Sequence, residues 1–302
     1  MQSQSVKIMA VVMISIYGFF LSEYTLTRSN AQETKDAVGD CILIIGDSVA
    51  HGSAVFEVPG QGFPIIQTQP FAEFVDTALH DIGAYHLGVY DLSVEASSLT
   101  GTLPYTTTPE FRFAQTQNCQ YIVILPWMNE LRGMVNENFA LPFTALLADF
   151  ISSIRQENDT SQIVMMNYYP TATSELGDRI YESSISTTTI QQANTALATA
   201  CAPAGVLGEI DNLACMDIAP LYSRNEHVFT SIDRTTYFEN QYSVLRGEGS
   251  ELLEIYWREN PNGLIYGDGV HLNEIGKRIM AEALMQELLS LDISFGRFEI
   301  NN

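Results

Sequence analysis

The 302-residue sequence predicts an α/β fold, a three-layer α/β/α sandwich around a central, mostly parallel five-stranded sheet. Three observations lead there. Short apolar runs alternate with segments of helical spacing along the chain. The apolar runs are continuous, as suits strands covered on both faces. The last helical segment, LNEIGKRIMAEALMQELLSL from Leu272, repeats Ile275, Ile279, Met280, Ala283, Leu284 and Leu288 on one face.

In chain order, the first feature is a leader. Lys7 precedes a stretch, residues 8–21, that is apolar apart from Ser15 and Gly18. At about 1.5 Å per residue it spans about 21 Å as a helix, short of the roughly 30 Å hydrocarbon core of a bilayer. Small residues at Ser29 and Ala31 then suit a cleavage site. Residues 1–31 therefore read as a secretory signal or an uncleaved N-terminal anchor, 32–40 as a linker, and 41–302 as the folded domain. Both readings place that domain outside the cytoplasm, secreted or periplasmic, with the membrane touched only through the N-terminal segment. Strands are expected at Ile42–Ile45, Leu87–Leu92, Tyr121–Leu125, Ile163–Asn167 and, more weakly, Cys215–Ile218. Helices are expected at about Pro70–Ile82, Leu141–Arg155 and Ser186–Thr199 before the final one. Residues 222–266 break the alternation. They are rich in Arg, Asn, Glu and aromatics, including Tyr237, Phe238, Tyr242, Tyr256 and Trp257, and read as an insertion.

A formal charge of −22 repels phosphate backbones and anionic headgroups, so nucleic acid is excluded as a partner. The four cysteines, Cys41, Cys119, Cys201 and Cys215, form no CxxC pair, which gives a zinc or dithiol redox site little support. Cys41 and Cys119 each open an apolar strand. If those strands are parallel neighbours, the thiols share one end of the sheet, and a Cys41–Cys119 bridge follows. Cys201 and Cys215 flank a short Gly/Pro-containing segment and are expected to pair with each other. Export favours both bridges.

Ligands of an α/β sheet bind beyond the carboxyl ends of its strands. The first strand ends there in Gly46-Asp47-Ser48. A serine hydroxyl becomes a useful nucleophile when a histidine takes its proton and a carboxylate holds that histidine. Of five histidines, His271 fits best: it lies in YGDGVHLNEIG, three residues after Asp268 and just ahead of the last helix. His80 and His86 read as structural, His227 falls in the insertion, and His51 lies one turn past Ser48, where it can line a pocket, cap a helix or face solvent. Each feature also has a bland reading. Asp and Ser cap helices and Asp-Gly makes turns.

IIGDSVAHG near the start and DGVHLNEIGKRIMAEAL near the end together resemble the SGNH, or GDSL, hydrolase family. The resemblance runs in element order from about Cys41 to Leu289, with motif identity confined to short blocks. It implies a flavodoxin-like version of the sandwich and a serine esterase. Ser48, Asp268 and His271 match the family's catalytic set. YIVILPWMNE puts Asn129 where the family has its oxyanion asparagine, with Trp127 in place of the usual glycine and Glu130 in place of aspartate. Trp127 and Glu130, with His51, are expected about the substrate pocket. The backbone oxyanion donor falls at Ala96, or at Gly101 if the register slips; Ser48 N–H is the other. No metal or cofactor is implied. The α/β-hydrolase arrangement fits less well, since its nucleophile lies in G-x-S-x-G and its acid far from the histidine. The resemblance points to a small-molecule or glycan ester as partner, with short-acyl esters such as O-acetyl groups on carbohydrate first. An acyltransferase using the same site, or a carbohydrate-binding protein without catalysis, is the alternative.

Overall fold

A computed structural model describes residues 39–58, 65–131, 140–155, 160–171, 185–222, 248–263, 265–267 and 270–291. The expected leader, the linker but for its last two residues, and most of the 222–247 part of the insertion lie outside them, as do His227, Tyr237, Phe238, Tyr242 and Asp268.

The expected fold class is the one observed. Five parallel strands form the main sheet: β1 (Gly39–Ile45), β4 (Gly88–Asp91), β5 (Cys119–Ile124), β6 (Gln162–Met166) and β7 (Leu213–Met216). Their spatial order is β4-β1-β5-β6-β7, all pairs parallel. This is the flavodoxin-like order, in which the connections reverse direction between the first strand and its neighbour. The crevice at that reversal opens between the carboxyl ends of β1 and β5. Ile42–Ile45 and Ile122–Ile124 are wholly buried, as their unbroken apolar runs require.

Helices cover the sheet: α1 (Ser48–His51), α2 (Phe71–Asp81), α3 (Pro109–Thr116), α4 (Met128–Leu131), α5 (Ala140–Arg155), α6 (Thr187–Ala200), α7 (Ala219–Tyr222), α8 (Glu248–Glu259) and α9 (Glu274–Leu291). The four expected helices fall within about two residues of their observed ends. α3 is short, and its Pro109 at the first turn after the Thr108 cap is a start signal the apolar pattern did not register. On α9 the buried face is Gly276, Lys277, Met280, Ala281, Leu284, Met285 and Leu288. Ile275, expected on that face, is exposed instead, because the helix turns the 277–281–284 ridge towards α2.

Both expected disulfides form. Cys41–Cys119 staples the amino ends of adjacent strands β1 and β5, and Cys201–Cys215 closes the segment between α6 and β7. Two bridges suit an oxidising compartment.

A second sheet was not legible in the sequence. β2 (Ser53–Glu57) pairs antiparallel with β3 (Ile65–Gln67) and with β8 (Tyr266–Gly267). Phe56 lies opposite Gly267 and Glu57 opposite Tyr266. The segment that follows Ser48 is thereby bonded to the segment that precedes His271.

A buried lysine reinforces this join. Lys277, 1% exposed, donates from Nζ to Thr68 Oγ1 at 2.6 Å and to Gln69 O at 2.7 Å. Thr68 in turn donates from both its N–H and its hydroxyl to Gly52 O, the residue that ends α1. Gly52 has φ +87°, and a Cβ there would lie 2.7 Å from the Thr68 and Gln69 carbonyl oxygens, so only glycine fits. Burial pushes the Lys277 ammonium down to about 7, while the carboxylates of Glu274, Glu73 and Asp91 pull it back up.

The unfolded lysine keeps its proton to about pH 10.4. Between about pH 7 and pH 10 the unfolded chain therefore holds more protons than the folded one, and stability from this group rises with pH. The slope is at most about 1.4 kcal/mol per pH unit. Guanidinium midpoints taken from pH 6 to 9 should show this rise in the parent, and Lys277→Met should flatten it.

Candidate active site

The site is assembled where β1 and β5 end. Gly46 lets the two strand ends approach: a Cβ there would lie 2.9 Å from Ala50 Cβ and 3.1 Å from Leu125 Cβ. Asp47 follows, fully buried, and caps α1 by accepting the Val49 N–H on Oδ1 at 3.1 Å. Ser48 is the first residue of α1, so its N–H has no acceptor within the helix.

Ser48 Oγ lies 2.9 Å from His271 Nε2, across 223 residues of sequence; the hydroxyl donates to that nitrogen when the neutral imidazole carries its proton on Nδ1. His271, 9% exposed, is held from both sides. Val270 and Leu272 are buried, and the Tyr169 hydroxyl donates to Val270 O at 2.7 Å. Asn273 then caps α9, its Oδ1 accepting the Gly276 N–H at 3.0 Å.

Asn129 stands at the carboxyl end of β5, half-buried on α4. Its Nδ2 donates to Asp47 Oδ2 at 3.2 Å and to Ser97 O at 3.0 Å, and its backbone N–H also points to Asp47 Oδ2 at 3.3 Å. One carboxylate thus caps the helix that begins with Ser48 and orients the strand-end amide. Burial raises the Asp47 pKa, opposed by the hydrogen bonds it accepts and by the His271 charge.

Ala96 is exposed in the loop after β4, with φ +58°, a left-handed conformation natural to glycine and rare for alanine. Among the described residues its N–H has no acceptor. The Gly101 N–H, the alternative donor, is committed to Ser98 Oγ at 2.7 Å.

Trp127 and Glu130 do not line a pocket. Trp127 is 0% exposed and packs among Tyr105 and Phe150, with its Nε1 donating to Ser97 Oγ at 3.1 Å. Glu130 is 5% exposed, and its carboxylate accepts from the backbone of Leu99 and Thr100. The indole is taken up by the aromatic cluster of Tyr105 and Phe150, and a carboxylate with N–H groups on hand turns inward to them. His51 is half-buried beside Ser93, whose Oγ lies 3.5 Å from His51 Nδ1 and donates to Asp91 Oδ1. Burial raises the Asp91 pKa, against the two hydrogen bonds from Ser93 and the charges of His51 and Lys277. Trp257, within the expected insertion, is buried and donates to Gly263 O at 2.9 Å.

Asp47, Ser97 and Tyr169 were not singled out as site residues from sequence. Asp47 carried a signal, as an acid immediately before the candidate nucleophile. Ser97 and Tyr169 carried none, because they act through contacts made 30 or more residues away.

No family model matches the chain, and no curated protein matches it. Solved structures do show likeness. A family two carbohydrate esterase from Clostridium thermocellum, in complex with cellohexaose, is 13% identical with a TM-score of 0.49, covering 83% of this chain and 65% of its own. A carbohydrate esterase family 2 enzyme with a carbohydrate binding domain, from Corynascus thermopiles (Myceliophthora fergusii), is 12% identical with a TM-score of 0.48, covering 86% and 68%. The lipase Lip_vut3 from a goat rumen metagenome is 14% identical with a TM-score of 0.47, covering 82% and 96%.

Replacing Asp47 by Asn puts an amide against the donors of Val49 and Asn129. Chemical denaturation of Asp47→Asn should show a loss of about 1–3 kcal/mol, the cost of buried donors left unpaired, together with a fall in whatever turnover the parent has.

Proposed function

We propose that the chain is an exported serine esterase acting on short-acyl esters, O-acetyl groups on carbohydrate among them. The observation that carries this reading is the 2.9 Å contact between Ser48 Oγ and His271 Nε2 at the crevice where the sheet reverses. Two blocks 223 residues apart, each with the residue type that acyl transfer needs, meet as nucleophile and base.

In this reading His271 Nε2 takes the Ser48 proton as Oγ bonds to the ester carbonyl carbon. Asp268 holds the other ring nitrogen and stabilises the imidazolium. The tetrahedral oxyanion is met by the N–H groups of Ser48 and Ala96 and by the Asn129 amide. An oxyanion draws one Nδ2 hydrogen from its resting acceptor, while Asp47 keeps the Asn129 backbone N–H. The intermediate collapses, the C–O bond to the alcohol breaks, and His271 returns the proton to the leaving alkoxide. Water, deprotonated by His271, then releases the acid and restores Ser48. One oxyanion donor is worth about 2.7–4 kcal/mol in the transition state.

The test is hydrolysis of p-nitrophenyl acetate and butyrate by the chain lacking residues 1–31, beside Ser48→Ala and His271→Ala. Turnover should be lost in both variants, by about 10³-fold or more. Folded parent protein that neither turns over these esters nor is labelled at Ser48 by a fluorophosphonate would overturn the reading. Labelling without turnover would shift it towards acyl transfer to a glycan.

A further inference from the structure

Trp127 and Glu130, the two departures from the strand-end pattern the chain resembles, act on one loop. Trp127 Nε1 donates to Ser97 Oγ at 3.1 Å, and between them in sequence Asn129 Nδ2 donates to Ser97 O at 3.0 Å. Glu130 Oε1 accepts the N–H groups of Leu99 and Thr100, the latter at 2.7 Å, and Oε2 accepts the Thr100 hydroxyl at 2.9 Å. Three side chains from the end of β5 thus grip residues 97–100, immediately after Ala96. On its other side the Val94 N–H donates to Gly46 O at 3.0 Å. Trp127, Glu130 and Ser97 are all buried, where such bonds face little competition from water.

Between these anchors sits Ala96 at φ +58°. Its Cβ disfavours that conformation, and a loop held loosely would relax to negative φ and turn the neighbouring peptide planes. Glycine needs no such restraint. We propose that Trp127 and Glu130 are positioning residues that hold Ala96 left-handed and so aim its N–H at the acyl oxygen; this rests on the esterase reading above. The clamp is what allows alanine to stand in the oxyanion loop of this chain.

The experiment compares kcat and KM for p-nitrophenyl acetate in Glu130→Gln, Trp127→Phe, Thr100→Val and the double variant Ala96→Gly/Glu130→Gln. Thermal midpoints and the rate of Ser48 labelling by a fluorophosphonate are recorded alongside. Glu130→Gln and Trp127→Phe should lower kcat about tenfold or more, short of the 10²–10³ lost with a whole donor, while KM stays within about threefold. Thr100→Val, which removes one contact at an exposed threonine, should lower kcat less and in the same direction. Glycine at 96 should restore about fivefold or more of what Glu130→Gln loses, since it adopts positive φ unaided. A purely structural clamp would lower the thermal midpoints and leave kcat unchanged, or leave the loss unrescued by glycine; either result overturns the proposal. If Glu130→Gln or Trp127→Phe does not fold, Thr100→Val decides. If the parent is labelled without turning over the ester, the labelling rate replaces kcat. A parent with neither turnover nor labelling overturns the esterase reading itself, and is told apart because no clamp variant enters that comparison.

Discussion

A carboxylate with no exposed surface sits between the ends of β1 and β5. Asp47 accepts the Val49 N–H on one oxygen and two hydrogens of Asn129 on the other. Leaving a buried carboxylate underserved is costly, so its hydrogen bonds define where the start of α1 and the strand-end amide lie relative to each other. Ser48 is carried by the first of these elements and Asn129 by the second. The crevice of the parallel sheet is therefore a fixed distance wide at its floor, and the loop bearing Ala96 is bonded to the same floor through Ser97.

His271 arrives from the far end of the chain. Two independent restraints bring it in. One is the backbone pairing of β2 with β8, which joins the segment after Ser48 to the segment before His271. The other is Lys277, whose ammonium reaches through Thr68 to the carbonyl that ends α1. An ammonium in such surroundings is a poor choice for stability alone, since desolvation opposes the charged form. Its two hydrogen bonds fix the rotation and height of α9 against α2, and His271 precedes that helix by only three residues. Stability is given up for the geometry of a hydrogen bond just ahead of the same end of the helix.

Much of the fold was legible. Unbroken Val/Ile/Leu runs are a direct consequence of two-sided burial, so β1, β5 and β6 declared themselves, and with them the parallel sheet. The bridge between Cys41 and Cys119 followed from two strands being parallel neighbours. The small antiparallel sheet stayed hidden, because β2, β3 and β8 are two to five residues long and their pairing is a matter of backbone contacts rather than side-chain pattern. Ile275 was misplaced for a related reason. Periodicity gives a helix an apolar stripe, but the neighbour decides which edge of the stripe is covered.

For the site, residue type and order along the chain determined which groups are chemically capable: a serine at a strand end, a histidine before the last helix, an asparagine after a middle strand. Those are local facts, set by what each side chain can do and where a strand stops. Only the tertiary structure decided that Ser48 and His271 meet at 2.9 Å, that Trp127 and Glu130 turn inward rather than towards a pocket, and that Ala96 is left-handed. Each of those depends on contacts between segments from 30 to more than 200 residues apart, and no spacing within either segment encodes the partner it will find.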